Sequence, residues 1–407
     1  MLSQSGLSLE QAPPLSVVLR LFLIGSLFGV VAGLMVIFYG VEIFNPYSVG
    51  AVTLTHLFTI GVMLFFMFGA LFQMLPVIAG VTLSSPSIKS NILLYPLAFG
   101  LISFLLAFNL NLSYLYIIAS ILLGFALVFI IFTMLKELLK LTHQTPSSTG
   151  ITIALISLLL VVSMGIYMLL SISGTITPIY YEEIKIAHYS YGLFGWITLL
   201  IISISFQVIE MFYVTPPYPN IMSKYLPIAL FITLLFSFLS PLYIIIVGVL
   251  LIAYSITTLI RLAQKKRPLN DATIWFWRLG LSSLIASLLS IYIYPPVAYI
   301  FYSSFVISIL FAMFYKIVPF LTWFHLSSQG YFTAPMMHEI IAPKNAMKHL
   351  YLHIITILLY LSSLLYSDII FLAGVSTSIS FMIIGYHIIY AKSIYNKTQK
   401  NEKKMEY

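Results

Sequence analysis

Two histidines stand inside apolar segments long enough to cross a bilayer, and each opens a similar run of residues. The first stretch reads Thr55-His56-Leu57-Phe58-Thr59-Ile60-Gly61 and continues to Gly69-Ala70-Leu71-Phe72-Gln73-Met74-Leu75-Pro76. The second reads His188-Tyr189-Ser190-Tyr191-Gly192, then Gly195-Trp196, then Phe206-Gln207-Val208-Ile209-Glu210. An imidazole within a lipid-spanning helix is costly without a partner, so it marks a functional site by default. Neutral imidazole is a haem ligand of membrane proteins, and an axial pair of histidines would fix a low-spin, electron-transferring iron. The competing reading is hydrogen bonding between helices, to backbone or to the many tyrosines and serines. Gly61, Gly69, Gly192 and Gly195 suit both readings, because they admit either a flat macrocycle or a neighbouring helix.

Three charged residues also fall within apolar segments: Glu210, Lys316 and Arg278. Buried charges pair or line a wet cavity, so a Glu210–Lys316 contact is expected if their helices meet. The set could take up protons, form a structural ion pair or snorkel to the interface. His349 and His353 have the i,i+4 spacing that can clamp one metal, with His338-Glu339 shortly before them. No His-Glu-x-x-His pattern accompanies them, and beside Lys344 and Lys348 they read as headgroup contacts. His143, His325 and His387 are read as interfacial residues. No phosphate-binding glycine loop, nucleophile elbow or nucleic-acid-binding element is visible.

The elements that must position these residues are membrane helices. Of 407 residues, 61% are hydrophobic and only 7% charged, whereas soluble domains carry about 25% charged residues. Spanning the hydrocarbon takes roughly 20 apolar residues. Twelve segments meet that length, near 16–44, 52–80, 90–109, 112–138, 149–173, 183–213, 223–239, 241–263, 272–293, 296–324, 346–366 and 369–391, followed by a basic tail over 392–407. They are continuous apolar runs without barrel-like alternation, so the fold class is all-α, polytopic, in one transmembrane domain over 1–407. The longest connection expected runs from Ser327 to Met347, and no soluble domain is present. Leu2-Ser3-Gln4-Ser5-Gly6 is polar and uncharged, which predicts no secretory signal. Cysteine is absent, which removes disulfides, iron–sulfur clusters, thiolate haem ligands and the Cys-x-x-Cys-His attachment.

The net charge of +8 sets topology rather than marking a nucleic-acid footprint. Lys89, Lys136, Lys140, Lys224, Lys265, Lys266, Arg267, Lys344, Lys348 and the tail lysines Lys392, Lys397, Lys400, Lys403 and Lys404 fall on one side. The other side offers Lys185 among Glu42, Glu182, Glu183 and Asp368. Both termini are therefore expected in the cytoplasm, with Trp275, Trp277 and Trp323 as belt residues at that interface. His56 and His188 then lie at matching depths, near the outer ends of the second and sixth helices. The tenth helix echoes them: Gln73, Gln207 and Lys316 align, as do Pro76, Glu210 and Pro319, with Tyr299 or Tyr302 where the others carry histidine. A four-helix unit used three times would explain this spacing.

Twelve helices with both ends inside, and histidines on the outer halves of helices two and six, resemble subunit I of the haem–copper oxidase superfamily. The chain also resembles related twelve-helix bacterial membrane proteins, including the NnrS-type haem proteins. As topology the likeness covers the whole chain; as motif it covers 55–80, 188–219 and 310–326. The resemblance implies three four-helix arcs, with His56 at the place of the second-helix haem ligand and His188 at that of the sixth-helix metal ligand. It departs from the pattern elsewhere. The tenth helix has no histidine before His325 and thus no His-x-His, and 223–239 has no His-His pair. Tyr191 follows His188 by three residues where the oxidases have four. A three-histidine copper site is missing, so copper is not expected.

The resulting expectation is a haem b protein of a bacterial or archaeal cytoplasmic (inner) membrane, in electron transfer or the handling of nitric oxide or oxygen. Any enzyme activity would be that of a respiratory-type oxidoreductase. Partners would be the lipid bilayer and a cytochrome or quinol electron donor, with no nucleic acid. Haem propionates want cations, and Lys185 is the basic side chain on that side. The rival expectation is a twelve-helix secondary transporter, whose repeat would be six plus six. The Gly80–Ser87 loop lacks the acid and arginine of the common transporter motif.

Overall fold

The computed structural model describes residues 12–266, 271–331 and 333–401; Arg267, Lys403 and Lys404, assigned above to the basic side, lie outside them. Among the described residues twelve long helices follow one another: α1 (Leu15–Phe44), α2 (Val49–Ala79), α3 (Pro86–Leu110), α4 (Ser113–Leu138), α5 (Pro146–Ile172), α6 (Tyr181–Tyr213), α7 (Asn220–Phe238), α8 (Tyr243–Ala263), α9 (Ala272–Ser290), α10 (Pro295–Ser328), α11 (Pro343–Ser363) and α12 (Ile369–Asn401). Eleven of them are long and apolar enough to cross a membrane; α11 is not among these. It begins Pro-Lys-Asn-Ala-Met-Lys-His, so two lysines and two histidines lower the apolarity of its first half. The chain is an all-α, multi-pass membrane protein.

Local chemistry sets the helix ends. The Ser48 hydroxyl accepts from Ala51 N–H at 3.0 Å and starts α2. Thr145 and Ser148 cap each other at the start of α5. Val214, at φ 54°, ends α6 in the left-handed region ahead of the Pro216-Pro217 and Pro219 turn, where no helix can continue. The connection expected over Ser327–Met347 is shorter, because α10 runs to Ser328, one turn forms at Met337–Ile340, and α11 begins at Pro343. The last helix runs to Asn401 instead of ending near 391.

Described residues within Met1–Ser87, Asn270–Trp277 and Ile307–Tyr407 form one compact unit, and those within Ile88–Leu269 and Arg278–Val306 form another. In the first, α1 packs on α2 and α12. Gly25, Gly29 and Gly33 repeat every fourth residue along α1, and small residues at that spacing let backbones approach. A Cβ on Gly33 would lie 2.6 Å from the Gly374 carbonyl, and one on Gly374 would lie 2.7 Å from the Gly33 carbonyl. The Ser378 hydroxyl donates to the Val30 carbonyl at 3.1 Å across the same crossing. Phe22 stacks on Phe66 at 4.8 Å, with Phe314 at 6.2 Å from Phe22, to fill the core beside it. Trp277, expected in an interfacial belt, is instead a core side chain, 1% exposed, and by volume the largest fully buried one among the described residues. In the second unit α5 packs against α4, α6 and α7.

Candidate functional site

Both histidine-bearing helices change character just after the histidine. In α2 the backbone becomes π-helical over Leu57–Leu64, directly after His56. In α6 it does so over Tyr191–Thr198, one turn after His188. Such widened turns are uncommon and concentrate at functional sites. The two segments are equally long, and a glycine, Gly61 or Gly195, stands fifth in each. The spacing from Gly61 to Gly195 equals that from Gln73 to Gln207. In that common register the place of His56 is taken by Ser190, not by His188. A displacement of two residues turns a side chain about 200° around a helix, so the two imidazoles sit on opposite faces of the repeated pattern. The tenth helix departs further: α10 is α-helical throughout, with Pro319 inside it.

His56 belongs to the first unit and His188 to the second. His56 Nδ1 lies 2.8 Å from the carbonyl of Val52, one turn back on its own helix. His188 Nδ1 lies 3.1 Å from the carbonyl of Val161 on α5. A carbonyl oxygen only accepts, so Nδ1 carries a proton in both rings. Gly165 of α5 makes room for the second ring, since a Cβ there would lie 3.1 Å from His188 Cε1. One turn on, Tyr191 is 1% exposed and its hydroxyl has no hydrogen-bond partner. Lys185, expected to meet propionates, forms an ion pair with Glu182. Three of the glycines divide: Gly69 and Gly195 are filled by Phe22 and Ser157, at 2.8 and 3.0 Å from a would-be Cβ, whereas Gly192 has nothing nearer than Val161 at 3.9 Å.

The charged residues also find different surroundings from those expected. Lys316 donates to Asp271 at 2.6 Å. Asp271 stands at the start of α9 in the same unit, whereas Glu210 belongs to the other unit. Burial raises the Asp271 carboxyl, but the charge of Lys316 and the hydrogen bonds from Lys316, Thr273 and Ile274 outweigh it and hold the group below its usual range. Glu210 accepts from the Tyr218 N–H at 3.2 Å and borders a cavity of ≈ 250 Å³ with Gln207, Ser147 and Asn220. Tyr218, which also lines that cavity, donates to Thr258 at 3.1 Å, and Tyr254 donates to Ser205 at 2.9 Å. Burial pushes the Tyr218 hydroxyl up to about 12, so it donates and does not ionise near neutrality. Tyr302, one of the two tyrosines expected in place of a histidine, donates to the Leu193 carbonyl in the π segment at 2.6 Å and lies 3.0 Å from Thr198 Oγ1. Arg278 is half-buried in α9.

Sequence reasoning passed over a set of imidazoles in the first unit. His349, His353, His387 and His325, read above as interfacial, are 1%, 5%, 4% and 5% exposed. Ring packing explains this: Phe311 lies 4.5 Å from His349 and 5.3 Å from His353, with Phe276 6.0 and 5.9 Å from the same two rings. The available signal was the face shared by Ser308 and Tyr315 on α10, His349 and His353 on α11, and Ser380 and His387 on α12. Among the described residues no group of three or more histidine and acidic side chains is arranged to hold a metal ion. No family model matches the chain, and no curated protein matches it.

Proposed function

We propose that the chain is an integral membrane haem-binding protein related to haem–copper oxidase subunit I, acting in electron transfer or in the handling of nitric oxide or oxygen, without a copper oxygen-reduction centre. The observation that carries this reading is the contact of Nδ1 with a backbone carbonyl, shared by His56 and His188. Metal-ligating histidines donate one ring N–H to a carbonyl or carboxylate, which fixes the ring and raises the basicity of the other nitrogen. Both imidazoles do so, through Val52 and Val161.

Each imidazole by itself fits haem: His56 in the first unit and His188 in the second would each be a ligand to an iron, and the Tyr191 hydroxyl near His188, without a hydrogen-bond partner, is a polar group suited to a small ligand. Lys185 does not fit the propionate role, being held by Glu182. A bound haem would supply one-electron chemistry. The chain's own part is to orient the imidazoles, to exclude water with the packed aromatic core and to present protons at the Glu210 cavity. In this reading the membrane is that of a bacterial or archaeal cell with both termini in the cytoplasm, and a cytochrome or quinol donates electrons.

The division of the chain speaks against the transporter reading. A six-plus-six protein would part after α6, whereas α1, α2, α11 and α12 share a unit. Purified protein from haem-replete cells should show a Soret band that the His56→Ala, His188→Ala double variant lacks. A colourless wild-type preparation would refute the proposal.

A further inference from the structure

A seam of hydroxyls and imidazoles runs between α11 and α12, joined by two residues of α10. Tyr360 OH lies 3.0 Å from Thr377 Oγ1, and Thr356 Oγ1 lies 2.6 Å from Ser376 Oγ. One turn further, His353 Nε2 lies 2.9 Å from Ser308 Oγ. His349 then uses both ring nitrogens: Nδ1 is 2.9 Å from Tyr315 OH and Nε2 is 2.6 Å from Ser380 Oγ. At the far end Gln329 and Gln399 both donate to Tyr395 OH, at 2.8 and 2.9 Å, and Gln399 is exposed. On the continuous helix α12, the run from Thr377 to Gln399 measures about 33 Å at 1.5 Å per residue. That matches the roughly 30 Å hydrocarbon layer. A seam confined to one turn would be interhelical glue; here separate polar pairs recur turn after turn from Thr377 to Ser380, with His387 and then the Tyr395 cluster further along the same helix.

We propose that the α11–α12 seam, with Ser308 and Tyr315 of α10, is a proton path through the membrane, in which the His349 imidazole is the relay. A neutral imidazole has one N–H and one lone pair. It can accept a proton at one nitrogen from a hydroxyl while releasing the proton on the other, and no charge need persist in the apolar interior. At His349 the proton passes between Ser380 Oγ and Tyr315 OH, each hydroxyl gaining one proton as it gives one up. His387 is the next carrier: its ring centre lies 5.8 Å from that of Tyr315, and its buried Nδ1 has no hydrogen-bond partner. The titratable side chains facing His349 are Tyr315 of α10, His353 of its own helix and His387 of α12, while α9 contributes the Phe276 ring. Aromatic walls on this side keep the relay dry and so preserve its hydrogen bonds.

The proposal is independent of the haem reading, because neither His56 nor His188 takes part. Full-length protein would be reconstituted into phosphatidylcholine–phosphatidylglycerol vesicles with trapped pyranine, and a valinomycin potassium potential would drive proton entry. Wild-type vesicles should acidify about tenfold faster than protein-free ones. His349→Phe should return the rate to that background, and Tyr315→Phe and Ser380→Ala should each slow it up to about tenfold, the worth of one hydrogen bond. The last two remove single oxygens without changing packing, so they decide the matter even if His349→Phe fails to fold. Absorption spectra of the same samples should not differ. A wild-type rate equal to that of protein-free vesicles, or wild-type rates in both Tyr315→Phe and Ser380→Ala, overturns the path.

Discussion

Helices α2 and α6 share a backbone plan and differ in what they do with it. Each carries a histidine ahead of a π-helical segment with glycine at its fifth place, and each reaches a glutamine at the same distance beyond. In α2 the imidazole is held by its own helix, through Val52. In α6 it is held by a neighbour, through Val161 of α5, and the place of His56 is taken by Ser190, whose hydroxyl lies 2.5 Å from Tyr243 OH. The glutamines differ as well. Gln73 is 2% exposed with neither amide atom partnered, whereas Gln207 borders the Glu210 cavity. A repeated helix can keep its backbone geometry while its chemistry is reassigned residue by residue.

Single histidine variants should break the symmetry most strongly. His188→Ala removes an interhelical bond and leaves a void against Gly165, at a cost on the order of 2 kcal/mol. His56→Ala removes a bond within one helix turn and should cost less than about 1 kcal/mol. Thermal unfolding in detergent measures both, and equal losses would mean that the two histidines are equivalent after all.

A pair of glycine variants sharpens the account of the α6 π segment. Gly195→Ala pushes a Cβ to 3.0 Å from Ser157 and 3.1 Å from Leu234, which should cost about 1–3 kcal/mol. Gly192→Ala meets only Val161 at 3.9 Å, and should be neutral or stabilising by up to about 1 kcal/mol. If Gly192→Ala is the more damaging, that glycine faces something other than protein side chains, as a macrocycle would require.

The smallest effect concerns α10, where Lys316 stands at the place that the sequence pattern aligns with the two glutamines. Asp271 is held below its usual range, so its contribution to stability is present above the unfolded carboxyl value and is lost as pH falls through the lower, folded one. Wild-type protein should therefore lose melting temperature below about pH 4, and Asp271→Asn should flatten that part of the profile. The same acid dependence in wild type and Asp271→Asn would remove the Lys316–Asp271 pair from the account.

Much of the fold was legible because lipid simplifies it. A bilayer demands long apolar runs with satisfied backbones, and these can be read residue by residue along the chain. Eleven of the twelve expected segments have the apolarity of membrane spans in the structure, and α11 is the one at which polarity and burial part company. Lysines and histidines at its start looked interfacial, yet His349 and His353 are core residues, because Phe276 and Phe311 close over them. The glycine ladder Gly25, Gly29 and Gly33 was also readable, although nothing along the chain says that its partner is Gly374, far away in sequence.

What the sequence determined by itself was the class: the number and placement of apolar helices, the lack of cysteine chemistry, and the two histidine-led segments. These follow from composition and period, which are properties of the chain alone. Tertiary structure alone decided which acid meets Lys316, which carbonyl orients each imidazole, and that His349, His353 and His387 are buried. Each of those depends on the rotation of one helix against another. A rotation of one residue, about 100°, changes every partner while leaving the hydropathy of the chain the same.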